Sequence, residues 1–293
     1  MHFKLFVRKG SEGMQNKTAI ALGTFDGVHK GHRAVLNLSC DYEKRIAVTF
    51  KESPKAHSGL IMTAIDKCRI LKNLGFNEIL LLEFEQVKDM SAPEFLDFLQ
   101  KKYNPQLFTC GFNYRFGKNA TGNTETLKEF CKGNVIECKI AESVSENGEI
   151  VSSTAIRKML ENGEIEKANN LLSEDFSFCS KVIAGDRRGR TIDFPTVNQK
   201  YPEELVQLKF GVYKTKIAFD GKEYKGITNI GIRPTYKSDF VISETHIIGF
   251  SGDLYGKNLK IIPLEFLREE KRFSSLCELK AQIDKDLKYM RSK

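Results

Sequence analysis

The chain has 293 residues, 41% of them apolar and 29% charged, with a formal net charge of +8. That length exceeds what one compact core commonly takes, so two domains are expected. No apolar stretch reaches bilayer length and no long basic run points to nucleic acid, while the modest basic surplus suits small polyanions such as nucleotides.

In chain order, residues 1–8 read as an ordinary strand, too short in their apolar part for a secretory signal. The apolar run of residues 19–22 leads into Gly23-Thr24-Phe25-Asp26-Gly27-Val28-His29-Lys30-Gly31-His32. Residues 33–38 then show helical apolar spacing. His29 and His32 therefore stand where a buried strand hands over to a helix N-terminus, whose free N–H groups and positive dipole end attract phosphate. Gly27 and Gly31 let the backbone come close to a ligand.

Residues 46–50 read as a second strand, 66–74 as a helix closed by Gly75, and 78–84 as a third strand. Ser91-Ala92-Pro93-Glu94 opens another helix through a capping box. Residues 107–110 make a fourth strand ahead of Gly111. Strands alternating with helices predict a doubly wound, Rossmann-like parallel sheet, whose ligands bind at the carboxyl ends of the strands. Residues 164–176 form a short helix running into a linker, which divides the chain into domains 1–176 and 177–293.

Beyond the linker the pattern changes. Residues 178–183, 211–219, 225–230, 244–250 and 259–267 favour strands separated by polar turns, the mark of a small β-barrel. A helix from 275 to about 291 closes the chain, with Leu276, Leu279, Ile283 and Leu287 on one face. The fold class is thus α/β followed by β. Seven scattered cysteines without a Cys-x-x-Cys pair read as reduced, small core residues of a cytoplasmic protein.

Further blocks carry chemistry. Gly111-Phe112-Asn113-Tyr114-Arg115-Phe116-Gly117 offers aromatic faces for a flat ring. Ser152-Ser153-Thr154-Ala155-Ile156-Arg157 is a hydroxyl-rich helix start followed by an arginine, a set that suits phosphate. In the second half, a glycine-bearing basic loop spans Gly185 to Asn198, and Thr196 and Asn198 present neutral oxygens on one strand face, suited to Mg²⁺.

The His-x-Gly-His loop followed by Ser-Ser-Thr-x-Ile-Arg resembles the FMN adenylyltransferase modules of bacterial bifunctional FAD synthetases. The resemblance implies that His29 and His32 stabilise the transition state with Arg157 as a catalytic partner. Gly23, Phe25, Gly31, Asn113, Ser153 and Thr154 would hold ATP. The later series, running through Asn229-Ile230-Gly231-Ile232-Arg233-Pro234-Thr235, Glu244-Thr245-His246 and Leu267-Arg268-Glu269-Glu270, is similar to riboflavin kinase, a six-stranded barrel. It implies ATP at Gly185 and Arg190, Mg²⁺–ATP at Thr196 and Asn198, Glu244 as base, and flavin at Arg268 and Phe273. His246 reads as a satisfied barrel residue.

The implied enzyme makes FMN from riboflavin, then FAD from FMN. Its ligands would be ATP, Mg²⁺ and flavins, with no nucleic-acid or membrane partner, in a monomer or weak homo-oligomer. Two departures stand out. Residues 51–54 are Lys51-Glu52-Ser53-Pro54 where the family carries x-Pro-His-Pro. Asp193 and Val197 replace glycine and alanine, and Asp193 either adds a carboxylate near Mg²⁺ or repels ATP.

Overall fold

A computed structural model describes residues 17–52, 59–185, 194–233 and 240–292. The strand expected in residues 1–8, together with Ser53, Arg190, Asp193, Pro234 and Thr235, lies outside the described residues.

The first half is a parallel sheet in the order β3-β2-β1-β4-β5, formed by β1 (Thr18–Leu22), β2 (Lys44–Phe50), β3 (Glu78–Leu82), β4 (Leu107–Gly111) and β5 (Glu137–Ala141). Strand β1 is central because all five of its residues are buried. Alternate side chains feed two cores: Ile20 and Leu22 join Phe108 and Leu96 on one face, Ala21 and Ala47 join Leu36 and Leu71 on the other. The order reverses between β1 and β4, the crevice where open α/β sheets bind ligands.

Helices α1 (Lys30–Asn37), α2 (Ala64–Asn73), α3 (Phe84–Val87), α4 (Ala92–Tyr103), α5 (Thr124–Gly133), α6 (Ser153–Glu161) and α7 (Ile165–Leu171) connect and follow these strands. The expected capping box of α4 is present, with Ser91 and Glu94 exchanging bonds. Gly75, at φ 86°, ends α2 as expected. The third strand stops at Leu82, and residues 84–87 turn into a short helix. Strand β5 and helix α5 escaped the pattern reading, since β5 alternates Glu137, Cys138, Lys139 and Ile140 as an edge strand does.

After a small hairpin, β6 (Ser145–Glu146) and β7 (Glu149–Ile150), and then α6 and α7, the chain closes a six-stranded barrel in the order β10-β11-β12-β9-β8-β13. Its strands are β8 (Phe178–Ile183), β9 (Val197–Lys200), β10 (Gly211–Phe219), β11 (Lys222–Arg233), β12 (Phe240–Ile247) and β13 (Asn258–Arg268). Inside, Tyr213, Ile217, Ile230 and Ile261 pack together, and this core continues without a break into Leu60, Val151, Ile156 and Ile165 of the first half. Outside, α8 (Leu276–Ser292) lays Leu287 and Met290 on Val212 and Ile227.

Candidate active sites

The histidine loop starts where β1 ends. It holds Phe25 at φ 47°, Gly27 at φ 90° and Val28 at φ 37°, all left-handed. For a bulky or β-branched residue that conformation costs about 1–3 kcal/mol, and it persists only where the surroundings enforce it. Here Phe25 and Val28 are fully buried. The loop delivers His29 as the N-cap of α1, with its Nδ1 accepting the His32 amide at 3.3 Å. That bond puts the proton of neutral His29 on Nε2.

The two imidazoles stack with centroids 3.6 Å apart, and Phe25 packs edge-on against His32 at 5.4 Å. Gly31 permits the stack, because a Cβ there would stand 3.2 Å from the His29 ring and 3.3 Å from the Val151 carbonyl. At Gly23 a Cβ would strike the Phe25 ring at 2.7 Å. His32 Nδ1 is buried and has no hydrogen-bond partner among the described residues. A buried polar atom in that state is satisfied by an ordered water, an ion or a ligand.

Burial, reinforced by Arg157, lowers the His29 pKa to about 4. Burial, then His29, Lys67 and Arg157, holds His32 well below its ordinary value. Both rings are therefore neutral at pH 7. The unfolded chain binds more protons than the folded one between about pH 6.5 and 4, so this part of the stability is complete above 6.5 and lost as pH falls toward 4. For His29 the loss amounts to about 3 kcal/mol. Urea melts at pH 7.5 and 4.5 are expected to show it, and His29→Gln is expected to flatten the slope. An unchanged slope in that variant would assign the acid loss to other groups.

Beneath the rings, Asp26 is 1% exposed, accepts the Ile61 and Met62 amides at 3.0 and 3.4 Å, and is ion-paired with Arg157. Burial pushes the Asp26 carboxyl up, against the pull of Arg157, Lys67 and the Ile61 amide. Arg157 Nε donates to the Gly59 carbonyl at 2.7 Å. The structure thus places Arg157 under the loop, 6% exposed and bonded to protein groups.

Ser152 caps α6 through the Ala155 amide at 3.2 Å, and Ser153 Oγ donates to the Asp26 carbonyl at 2.9 Å, which fastens α6 to the histidine loop. Thr154 is exposed. Asn113 is exposed just past β4, beside Tyr114 and Phe116, whose rings stack at 5.5 Å. The parallel pairing of β4 with β1 sets Asn113 and the histidine loop at the same end of the sheet.

In the barrel, Asn198 stands opposite Glu244, and Glu244 opposite Asn229. Register partners project to one face, so these side chains form a row across β9, β12 and β11. The row lies on the outer face, because Val212, opposite Asn229, packs under α8. The inner face instead carries a buried hydroxyl chain, Thr215 to Thr228 to Thr245, with both links at 2.9 Å.

Asn198 is 6% exposed, and its Oδ1 and that of Asn229 have no partner among the described residues. Gly185 lies against Asn198, where a Cβ would come 2.2 Å from its Nδ2. Glu270 reaches back over the row and accepts Asn229 Nδ2 at 2.9 Å; a Cβ at Gly231 would meet the same carboxylate at 2.2 Å. Thr196 is exposed. His246 Nδ1 is 2.9 Å from the Pro195 carbonyl and its ring meets Phe194 edge-on at 5.3 Å, as a satisfied barrel residue should. Arg268 grips Asp286 of α8 with Nε at 3.0 Å and Nη2 at 2.8 Å, and lies 6.0 Å from the Phe273 ring.

Residues 11–155 match the family model described as FAD synthetase, and residues 172–293 match that described as riboflavin kinase. The bifunctional riboflavin kinase/FMN adenylyltransferase of Bacillus subtilis is 33% identical over 288 residues, covering 93% of this chain and 91% of that protein. The Escherichia coli protein of the same name is 32% identical, covering 94% and 92%. The chain belongs to the bifunctional riboflavin kinase/FMN adenylyltransferase family. A crystal structure described as a macrolide-efflux protein from Streptococcus pneumoniae superposes with a TM-score of 0.87 at 28% identity, covering 96% of both chains.

The two family matches fall on separate stretches of the chain, one holding the histidine loop and the other the Asn198–Glu244–Asn229 row. Three residues at these sites have no role that the local pattern assigns. Asp26 stands inside the histidine loop between Phe25 and Gly27, where the apolar setting is the one local sign of its burial. Lys67 occupies a position that the helical period of Ile70, Leu71 and Leu74 assigns to the core. Asn229 became legible only through strand register.

Proposed function

We propose that the two modules act in sequence, with a boundary at 176/177, between α7 and β8. The barrel phosphorylates riboflavin with ATP to give FMN, and the N-terminal module transfers AMP from a second ATP to FMN, giving FAD and pyrophosphate. The observation that carries the adenylylation reading is the neutral, stacked His29–His32 pair at the sheet's switch point.

In the first reaction the ribityl 5′-hydroxyl oxygen attacks the γ-phosphorus of ATP, its proton passes to Glu244, and ADP leaves. Gly185 and Arg190 would cradle the phosphates, and Arg268 with Phe273 would flank the flavin. The neutral oxygens of Thr196 and Asn198, the latter with an unpartnered Oδ1, suit Mg²⁺. When bound, Mg²⁺ offsets charge on the phosphates.

In the second reaction an FMN phosphate oxygen attacks the α-phosphorus, a new P–O bond forms, and the bond to the β-phosphate breaks. His29 and His32 donate hydrogen bonds where charge builds on the phosphate oxygens. Gly23, Phe25 and Gly31 shape the loop around the nucleotide, while Asn113, Ser153 and Thr154 contact it or fix its frame. Arg157 contributes from below through Asp26.

Neither reaction needs a nucleic-acid or membrane partner. Among the described residues no helix is long and apolar enough to cross a membrane, and the seven cysteines are free thiols. Free thiols suit a reducing, cytoplasmic setting, although Cys40, Cys179 and Cys277 are exposed and are not core residues; the proposed state is a monomer or weak homo-oligomer. The test is chromatography of products from riboflavin, ATP and Mg²⁺ with the purified chain. FMN followed by FAD is expected. FMN alone would overturn the adenylylation reading and point to the altered loop at Glu52 and Ser53.

A further inference from the structure

Lys67 lies in α2, apart from the histidine loop and the hydroxyl-rich start of α6. It sits among Ile70 and Leu71 and is 2% exposed. Its ammonium donates to the Phe50 carbonyl at 2.6 Å and the Thr24 carbonyl at 3.1 Å. Phe50 is the last residue of β2, and Thr24 lies at the start of the histidine loop. One buried cation thus ties the mouths of two adjacent strands together.

A structural clip needs no charge here. Thr49 Oγ1 already donates to the same Thr24 carbonyl at 2.7 Å, and burying an ammonium is costly against an apolar side chain of similar volume. The carboxylate that acts on Lys67 is Asp26, which is already bonded to Arg157. Counted formally, two cations face one carboxylate near the histidine pair, a surplus of +1; burial lowers the Lys67 pKa, and Asp26 acts against that by favouring the charged ammonium.

We propose that Lys67 is a positioning residue for adenylyl transfer, clipping the histidine loop to the mouth of β2 and leaving one buried positive charge for the nucleotide's phosphates to balance. The proposal rests on the assignment of adenylylation to the His29–His32 site. His32 is faced by Phe25 and His29 from its own loop, by Lys67 from α2, and by Arg157 from α6 with its partner Asp26. Lys67 is one of the cations that oppose protonation of His32.

The test uses the full chain with Lys67→Gln, Lys67→Arg and Thr49→Val, with riboflavin phosphorylation as the folding control. In Lys67→Gln, kcat/KM for FAD formation is expected to fall about 30-fold, with a raised KM for ATP and FMN formation within about twofold of wild type. Histidine-selective ¹⁵N spectra are expected to show His32 titrating at higher pH in Lys67→Gln and unmoved in Lys67→Arg, which keeps the charge. Thr49→Val, which removes only a neutral bond, is expected to lose about threefold with the His32 titration in place.

A loss below about threefold in Lys67→Gln, or the same His32 titration in the Gln and Arg variants, overturns the proposal. If Lys67→Gln does not fold, the other two variants decide: an Arg variant less impaired than the Val variant supports the charge, and the reverse order overturns it. A wild-type chain that makes no FAD removes the functional reading and the proposal together. A wild type that makes FAD, with Lys67→Gln at parity, removes the proposal alone.

Discussion

His32→Ala is expected to slow FAD formation by about 10²–10³-fold while leaving riboflavin phosphorylation at the wild-type rate, since removal of one preorganised donor to a developing oxyanion costs that much. The imidazole stacks on His29 and meets the edge of Phe25. Its buried Nδ1 has no partner among the described residues, so the ring serves no bond within the described fold that alanine would break. The residue is also only partly buried, so the cavity left behind is small and the chain should fold. The measurement is single-turnover FAD formation from FMN and ATP, paired with FMN formation from riboflavin by the same preparation. Loss of both activities in a folded protein would overturn the two-site reading.

Glu244→Ala is expected to do the reverse. FMN formation should fall about 10²–10⁴-fold, the usual contribution of a positioned general base, with FAD formation from supplied FMN intact. Glu244 lies in the middle of the Asn198–Glu244–Asn229 row, on the outer face of the barrel and half-buried. The histidine pair belongs to a different module, built on β1 and α1. Residual FMN formation with an unchanged rate would show that another group takes the hydroxyl proton. The two variants mixed together should convert riboflavin to FAD, because FMN passes between them through solution.

Much of this was legible in the residues themselves. The histidine loop could be placed at a strand-to-helix junction because apolar period and glycine punctuation are local signals. The capping box at Ser91 and the Gly75 stop are equally local, and both are present. What escaped was decided at long range. Strand β5 carries too little hydrophobicity to announce itself, and only its pairing with β4 makes it a strand. Arg157 reads as a phosphate ligand from its motif, yet its guanidinium meets Asp26, 131 positions away in sequence.

By itself, the sequence determined the order of modules, the two blocks of chemistry and the family resemblance, since each rests on residues close together along the chain. The tertiary structure alone decided what lies beneath and between them. Parallel β1 and β2, with α2 packed on their face, bring Lys67 under Thr24 and Phe50. Antiparallel register sets Asn229 beside Glu244. The physical reason is that a buried charge or an unpaired carbonyl takes its meaning from neighbours brought in by the fold, and no local period encodes those neighbours.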